Sequence, residues 1–202
     1  MMNERISQLF SDSIETARMA QEHLAERIEQ AASMILEAYS CNGGVFVFGN
    51  GGSAADAQHF AAEMVGRCVR ERRGLKAQAL TANTSILTAI SNDYDFELVF
   101  ARQLEANASM NDVAMGLSTS GNSPNVVCAL AKAREIGMKT IALTGRGGGR
   151  CAEFADILLD VPSDNTPRVQ EVHMIVYHAI CEIVEAAIAD DATDAIEEDP
   201  SE

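Results

Sequence analysis

Apolar residues along this chain follow two patterns that alternate from one end to the other. Short runs such as residues 45–48 are apolar at every position, which is typical of strands buried on both faces. Between these runs, apolar residues recur at helical spacing. The alternation predicts an α/β fold: a five-stranded parallel sheet flanked by helices, with ligand-binding loops at the carboxyl ends of the strands. The predicted strands are residues 45–48, 77–80, 113–117, 139–143 and 157–161.

The helical pattern also predicts an N-terminal arm of two helices ahead of the first strand. Apolar residues at helical spacing, among them Leu9, Ile14, Leu24 and Ile35, span residues 6–39, and we place a break near residues 21–25. An arm of this kind often packs against a neighbouring subunit. Further helices are predicted at residues 81–91 and 96–106, from the turn at 118–123 to about 136, and at 166–189.

Composition and charge narrow the class of protein. With 202 residues, 47% of them hydrophobic, the chain suits a single domain, predicted to cover residues 1–189. The formal net charge of −15 argues against direct binding of nucleic acid, which needs Lys and Arg to neutralise phosphates. Seven acids and no base lie in residues 190–202, so this tail lacks the apolar residues to pack and is predicted to be disordered.

The N-terminus, the lengths of the apolar runs and the spacing of the cysteines indicate in which cellular compartment the protein is expected. No apolar run reaches the roughly 18 residues that a membrane span needs, and the N-terminus does not have the form of a signal peptide. We therefore expect a cytoplasmic protein without a membrane partner. The five cysteines show no paired short spacings, which argues against a zinc knuckle or a disulfide framework and favours small buried thiols.

The first strand is followed by a turn suited to an anion. Residues 49–53 read Gly-Asn-Gly-Gly-Ser, where glycines let the backbone approach a ligand and Ser53 suits the N-cap of the next helix. On that helix His59 and Glu63 are four residues apart and share one face, where they could bind a metal or transfer protons. The alternative is a surface ion pair, which is the commoner role of such a pair.

Nucleotide binding is disfavoured by the residues after this turn. A dinucleotide site needs an acid after the next strand, about 20 residues on. Here residue 80 is followed by Thr81, Ala82 and Asn83. No Gly-Lys-Ser/Thr motif comes after the glycines either, which excludes a P-loop.

The third predicted strand ends in a turn rich in hydroxyl groups, Ser-Thr-Ser-Gly-Asn-Ser at residues 118–123. Hydroxyl and backbone N–H groups at a helix N-terminus can hold a phosphate monoester without a cluster of cations. The alternative is that Ser123 only caps its helix. Capping alone does not call for Ser118, Thr119 and Ser120 together, so we favour phosphate binding.

The last predicted helix carries a second pair of polar residues. Gln170 and His178 are eight residues apart, or about 80° around the axis, so both can face one cleft. Glu171 and His173 project elsewhere, and for them we expect solvated or interface roles. Taken alone, His178 on an apolar helix would more often be a core histidine. The functional hypothesis depends on both pairs lying beside the two turns.

Taken together, these motifs resemble the SIS (sugar isomerase) domain family and, within it, the phosphoheptose isomerases. The resemblance runs from about residue 3 to residue 188 and includes His-Phe-Ala-x-Glu, Leu-Thr-Gly-x-x-Gly-Gly and Arg-x-Gln-Glu-x-His. It implies a flavodoxin-like sandwich fold and conversion of sedoheptulose 7-phosphate to D-glycero-D-manno-heptose 7-phosphate, the first step toward the heptose of lipopolysaccharide. A homotetramer with sites between subunits and one Zn²⁺ per subunit are also implied.

The resemblance assigns roles by position. It implies Zn²⁺ ligands at His59, Glu63, Gln170 and His178, of which Glu63 and His178 match the acid and base. The positions that match substrate contacts are Asn50, Gly51, Gly52, Ser53, Glu63, Arg67, Asn92, Asp93, Ser118, Thr119, Ser120, Ser123 and Gln170.

A rival interpretation comes from the same family, which includes a non-catalytic homotetrameric regulator that binds the bacterial replication initiator protein. Residues 5–10 and 13–16 are similar to that relative. A scaffold has no need for His59, Glu63, Gln170 and His178 in one cleft, so the complete set favours an enzyme. Assay of sedoheptulose 7-phosphate with and without a chelator would discriminate between the two.

Overall fold

Five parallel strands form one sheet in the order β2-β1-β3-β4-β5, which confirms the predicted sheet and its flavodoxin-like arrangement. The computed structural model describes residues 1–197, with side chains up to residue 190. The order reverses between β1 and β3, and in such sheets ligands bind in the crevice at that point. The strands are β1 (Val45–Gly49), β2 (Ala77–Ala79), β3 (Val113–Ser118), β4 (Lys139–Thr144) and β5 (Ile157–Asp160).

Six α-helices cover the described sheet, and the first is longer than predicted. The predicted break near residues 21–25 is wrong, because this stretch contains no Gly or Pro and Leu24 is fully buried on a continuous apolar face. The helices are α1 (Met2–Ser40), α2 (Gly52–Val65), α3 (Thr84–Asp93), α4 (Ala101–Asn107), α5 (Pro124–Ile136) and α6 (Thr166–Glu197). Two 3-10 turns lie at Phe96–Leu98 and Gly149–Phe154, so the helix predicted at 96–106 is split.

The last helix also differs from the prediction at its C-terminal end. Its predicted end at residue 189 is wrong, because α6 continues to Glu197 and residues 190–197 are helical rather than disordered. Alanines at 187, 189, 192 and 195 are strong helix formers, which offsets the acidic composition. Residues 198–202 of the predicted tail lie outside the described residues.

The core has two layers, one on each face of the sheet. β1 sends Val45 and Val47 toward a layer made with α1, α2 and α6, and Phe46 and Phe48 toward a layer made with α4 and α5. This two-sided burial explains why the first strand is apolar at every position. The two layers hold the carboxyl ends of β1 and β3 in place.

By length and composition, Thr166–Asp190 of α6 is apolar enough to cross a membrane. However, 44% of this stretch is buried inside the fold, where it packs against α1 and α2. The core helix of a soluble protein passes the same test, so the helix does not indicate a membrane span.

The cysteines confirm the prediction only in part. All five are free; Cys151 and Cys181 are buried, Cys68 and Cys128 are half-buried, and Cys41 is exposed. The expectation of buried thiols is therefore wrong for Cys41, which comes directly after the last residue of α1.

A buried ion pair between Glu185 on α6 and Arg72 fixes the loop that follows α2. The Glu185 carboxylate accepts backbone N–H bonds from Cys68, Val69 and Arg70 at 2.6–2.9 Å and lies 3.4 Å from the Arg72 guanidinium. Burial would raise the pKa of Glu185, but these donors outweigh it and lower the pKa. Arg72 in turn donates to the carbonyl groups of residues 63, 64 and 66, so it holds the C-terminus of α2.

A second buried polar residue on α6 corrects an expectation. His173 was expected at a solvated or interface position, but it is fully buried, and its Nε2 lies 3.1 Å from the Thr144 carbonyl oxygen at the end of β4. Glu171 is exposed and pairs with Arg168, as expected of a solvated residue. Burial lowers the pKa of His173 to about 4, so the folded protein holds this imidazole neutral at pH 7.

This lowered pKa predicts that His173 makes the free energy of unfolding depend on pH. The variant His173→Gln should lack that pH dependence. The unfolded chain takes up a proton on His173 below a pKa of about 6.5, whereas the folded chain does so only near 4. The contribution of neutral His173 to the free energy of unfolding is therefore fully present above pH 6.5. About 3 kcal/mol of it is lost as the pH falls toward 4. Urea unfolding of both proteins between pH 7.5 and 4 measures the difference. Parallel pH profiles would contradict the expectation.

Candidate active site

The crevice between β1 and β3 brings the two predicted turns together. The side chain of Asn50, in the turn after β1, exchanges two hydrogen bonds of 2.8 Å with the side chain of Asn125 at the start of α5. Asn125 is buried and Asn50 is half-buried. The amide pair therefore ties the glycine turn to the start of α5, directly after the hydroxyl turn.

The hydroxyl groups of this turn cluster around Ser118, and two of them also accept backbone N–H groups of the turn itself. Ser118 Oγ lies 2.9 Å from Ser123 Oγ and 3.5 Å from Ser120 Oγ. Ser123 occupies the N-cap position of α5, but its side chain makes no capping hydrogen bond. The alternative that Ser123 only caps this helix is therefore wrong. Clustered hydroxyls at a helix N-terminus are suited to an anion.

A third loop, residues 145–151 after β4, packs against the backbone of this turn. Sequence reasoning did not place this loop at the site. The N–H group of Gly145, after β4, donates to the Thr119 carbonyl at 3.0 Å, and that of Cys151 donates to the Gly121 carbonyl at 2.9 Å. Gly121 has φ +65°, and a Cβ there would stand 2.1 Å from the Gly148 carbonyl oxygen. The glycines at 145–149 thus allow two loops to pack backbone against backbone.

The predicted pair on α2 is in contact. His59 Nε2 lies 3.1 Å from Glu63 Oε1, and the His59 and Glu63 side chains are 42% and 20% exposed. The pair is open to solvent on one side, as a site must be to admit a ligand. On the other side it faces α6.

The two predicted residues of α6 reach the same place. The ring of His178 lies 4.9 Å from the ring of His59, centroid to centroid. Gln170 Nε2 donates to Asp56 Oδ2 on α2 at 2.9 Å, and a Cβ on Gly52 would stand 2.2 Å from that nitrogen. The structure therefore brings both predicted pairs together where α2 meets α6.

Asp56 is a functional candidate that sequence reasoning missed. It is buried, and burial raises its pKa against the opposing effects of the Gln170 hydrogen bond and of nearby His59. A carboxylate only accepts hydrogen bonds, so the NH₂ end of Gln170 must face Asp56 and the oxygen Oε1 is left free. The available signal was an acid one turn before His59 on the same helix.

The donor atoms at this junction suit a metal ion. Two imidazoles, a carboxylate and an amide oxygen are ligands that Zn²⁺ and similar divalent ions accept. Within the described part of the chain, no three His, Cys, Asp or Glu side chains already form a metal-binding group. The residues fit such an ion by donor type and by adjacency, and an ion would have to draw them together.

Three predicted substrate contacts have their described side-chain contacts with residues other than those of this junction. Arg67 is exposed, and its guanidinium lies 3.5 Å from the Val69 carbonyl oxygen and 3.7 Å from the Glu71 carboxylate. Asn92 and Asp93, also exposed, bond to each other at 2.8 Å at the end of α3. Their assignment to a substrate stays a prediction.

Comparison with known proteins finds relatives over most of the chain. Residues 8–145 match the family model described as the SIS domain. A curated phosphoheptose isomerase of Citrifermentans bemidjiense is 56% identical over 165 residues, which cover 82% of this chain and 86% of the relative. Solved phosphoheptose isomerases of Neisseria gonorrhoeae (46% identity, TM-score 0.87) and Francisella tularensis (35%, 0.89) each cover 92% of this chain, and the match covers 100% and 99% of those chains.

Substitution of Gly52 tests how closely α2 and α6 approach. In Gly52→Ala the new Cβ should displace the Gln170 amide from Asp56, because the flexible tip of Gln170 is the atom group that yields. The free energy of unfolding should fall by no more than about 2 kcal/mol, since the gain in helix propensity offsets part of the lost hydrogen bond.

The matched control is Gly51→Ala, where φ is +57° and nothing lies within 4 Å of a new Cβ. This variant should lose about 1–3 kcal/mol, because φ +57° with ψ −121° strains any residue that has a Cβ, and it should leave Gln170 in place. Crystal structures and urea unfolding of both variants provide the measurement. An unmoved Gln170 in Gly52→Ala would contradict this close packing of α2 against α6.

Proposed function

The chain belongs to the SIS domain family and is a sugar phosphate isomerase like its phosphoheptose isomerase relatives, and from this we propose its specific reaction. The substrate is sedoheptulose 7-phosphate and the product is D-glycero-D-manno-heptose 7-phosphate. This cytoplasmic reaction would supply the heptose of lipopolysaccharide. No structural feature of the described chain favours the alternative of a regulator that binds the replication initiator.

One observation supports this proposal most strongly. Glu63 and His178, from two helices distant in sequence, both lie next to His59 on α2, the helix that begins at the crevice between β1 and β3. Proton-transfer groups and an anion site are the two requirements for isomerising a sugar phosphate. A binding protein would need only the second.

The phosphate group is assigned to the hydroxyl turn. Ser118, Thr119, Ser120 and Ser123 supply hydroxyl groups there, and the N-terminus of α5 supplies a favourable dipole. Hydrogen bonds to a charged oxygen are roughly twice as strong as neutral ones, so the turn needs no cluster of cations. Binding energy at the phosphate would then place C1 and C2 of the sugar near Glu63 and His178.

The chemistry at C1 and C2 is assigned to Glu63 and His178. Converting a ketose to an aldose moves a hydrogen from C1 to C2, which one base can do on one side of a cis-enediol. A second group must move protons between the two oxygens. We assign Glu63 and His178 to these two tasks as a pair.

We also propose that His59, Glu63, Gln170 and His178 hold one Zn²⁺ per subunit. When bound, the ion polarises the substrate carbonyl and stabilises developing negative charge, which lowers the barrier by several kcal/mol. The protein's own part is to hold the donor groups: Asp56 binds Nε2 of Gln170 and so leaves Oε1 available to the ion, and Glu63 contacts Nε2 of His59.

Glu63→Gln and His178→Ala should each lower turnover of sedoheptulose 7-phosphate by about 10²–10⁴-fold while the protein stays folded. Both remove a proton-transfer group and keep the backbone of a helix. Product formation is followed by NMR, and folding by urea unfolding. The matched control is Glu71→Gln, an exposed glutamate 90% open to solvent, which should keep wild-type turnover.

Near-normal turnover in either variant would remove that residue from the mechanism. The same assay is run on wild-type protein with a chelator and with zinc restored. Loss of turnover with the chelator and its return with zinc support the metal proposal. A wild-type protein that forms no product even with zinc would favour the regulator.

We further propose a homotetramer, because α1 and α6 carry large apolar residues with no partner inside the described chain. Phe10 is 67% exposed, and Ile175 on α6 is 55% exposed. Contiguous exposed apolar surface is typical of a protein interface. The exposed apolar residues are Ile6, Leu9, Phe10 and Ile14 on α1 and Met174, Ile175 and Ile183 on α6.

Phe10→Glu should shift the protein to smaller species, because a charge would be buried in the proposed interface. The matched control, Gln8→Glu, adds the same charge on the opposite face of α1 and should keep the wild-type mass. Light scattering coupled to gel filtration measures the mass of each protein. A Phe10→Glu variant with the wild-type mass would contradict this interface.

A further inference from the structure

The imidazole of His59 is held at both of its nitrogen atoms. Nε2 lies 3.1 Å from Glu63 Oε1 on its own helix, and Nδ1 lies 2.9 Å from the hydroxyl oxygen of Tyr177 on α6. Tyr177 is fully buried, and its ring lies 4.7 Å from that of the next residue, His178. One buried phenol therefore touches both imidazoles of the candidate active site.

The ring of His178 also packs edge-to-face against the His59 ring, but an aromatic contact does not select which ring nitrogen faces Glu63. The His59 side chain is 42% exposed, and rotation of the ring would exchange the nitrogen that faces Glu63 for a carbon or for Nδ1. The contact with Glu63 comes from a residue of the same helix, whose side chain is itself 20% exposed. Tyr177 approaches from a different helix and from the buried side, so it determines the plane of the ring.

A hydroxyl group is suited to this place because it both donates and accepts hydrogen bonds. When Nε2 carries a proton and donates it to Glu63, the Tyr177 O–H can donate to Nδ1. When Nε2 offers its lone pair to an ion, Nδ1 carries the proton and donates it to the Tyr177 oxygen. The hydrogen bond between Nδ1 and the Tyr177 hydroxyl group can therefore form in both tautomers of a neutral His59.

We propose that Tyr177 is a positioning residue, which holds the His59 imidazole so that Nε2 faces the proposed metal position. The inference rests on the proposed function, in which His59 is a ligand. The competing interpretation is that Tyr177 only fills the core between α2 and α6, a role that phenylalanine would perform equally well. The two interpretations differ at a single oxygen atom.

Tyr177→Phe removes that oxygen and keeps the ring. The matched control is Tyr39→Phe, since Tyr39 is also buried but its hydroxyl bonds weakly, at 3.4 Å, to the Lys76 carbonyl ahead of β2. Zinc dissociation constants are measured by competition with a chromophoric chelator. Crystal structures of the metal-free proteins give the orientation of the His59 ring without reference to zinc or turnover.

In Tyr177→Phe we expect zinc binding to weaken by about 10–100-fold, as is usual when a residue that orients a metal-binding histidine is lost. We also expect the metal-free His59 ring to leave its 3.1 Å contact with Glu63. Tyr39→Phe should match the wild type within about twofold in affinity, with His59 unmoved.

An unmoved His59 ring in Tyr177→Phe, or unchanged zinc affinity beside a wild type that binds zinc, would overturn the inference. If wild-type protein binds no zinc, the metal proposal fails by itself. The ring orientation then decides: displacement in Tyr177→Phe supports the positioning role, and an unmoved ring overturns it.

Discussion

The hydrogen bonds between α2 and α6 are the contacts on which the candidate active site depends. Each helix supplies a partner for a side chain of the other: Asp56 on α2 holds Gln170, and Tyr177 on α6 holds His59. The first contact is a hydrogen bond to a carboxylate, and the second is made by a buried hydroxyl group. Both kinds of contact fix the Gln170 and His59 side chains better than contacts between exposed side chains of one helix would. The absence of a Cβ at Gly52 leaves room for the Gln170 amide in the first of these contacts.

This helix pair acts together with the reversal of strand order between β1 and β3. The reversal opens a crevice at the carboxyl ends of the strands, and there the glycine turn starts α2 and the hydroxyl turn starts α5. The topology thus brings the proposed anion-binding turn and the helix that carries the proposed proton-transfer residue Glu63 to the same edge of the sheet. The buried pair of Glu185 and Arg72 fixes the far end of α2.

Much of the fold and part of the site could be predicted because their signals are local. The apolar run of β1, the glycines after it and the His59–Glu63 spacing each depend on a few neighbouring residues. The continuity of α1 was missed, because the polar residues near position 23 interrupt the apolar pattern in the sequence. The structure shows that Leu24 is nevertheless buried in the core and that the helix continues through this stretch. Asp56, Tyr177 and the loop behind Thr119 were missed, because their roles exist only through contacts with residues distant in sequence.

The central claim is that the hydroxyl turn holds the phosphate while α2 and α6 act on the other end of the sugar. A crystal structure of Glu63→Gln with bound sedoheptulose 7-phosphate tests it most directly. The account predicts phosphate oxygens within hydrogen-bond distance of Ser118, Ser120 or Ser123, with C1 and C2 beside residue 63 and His178. Phosphate bound away from this turn, or C1 and C2 facing away from α2 and α6, would contradict it.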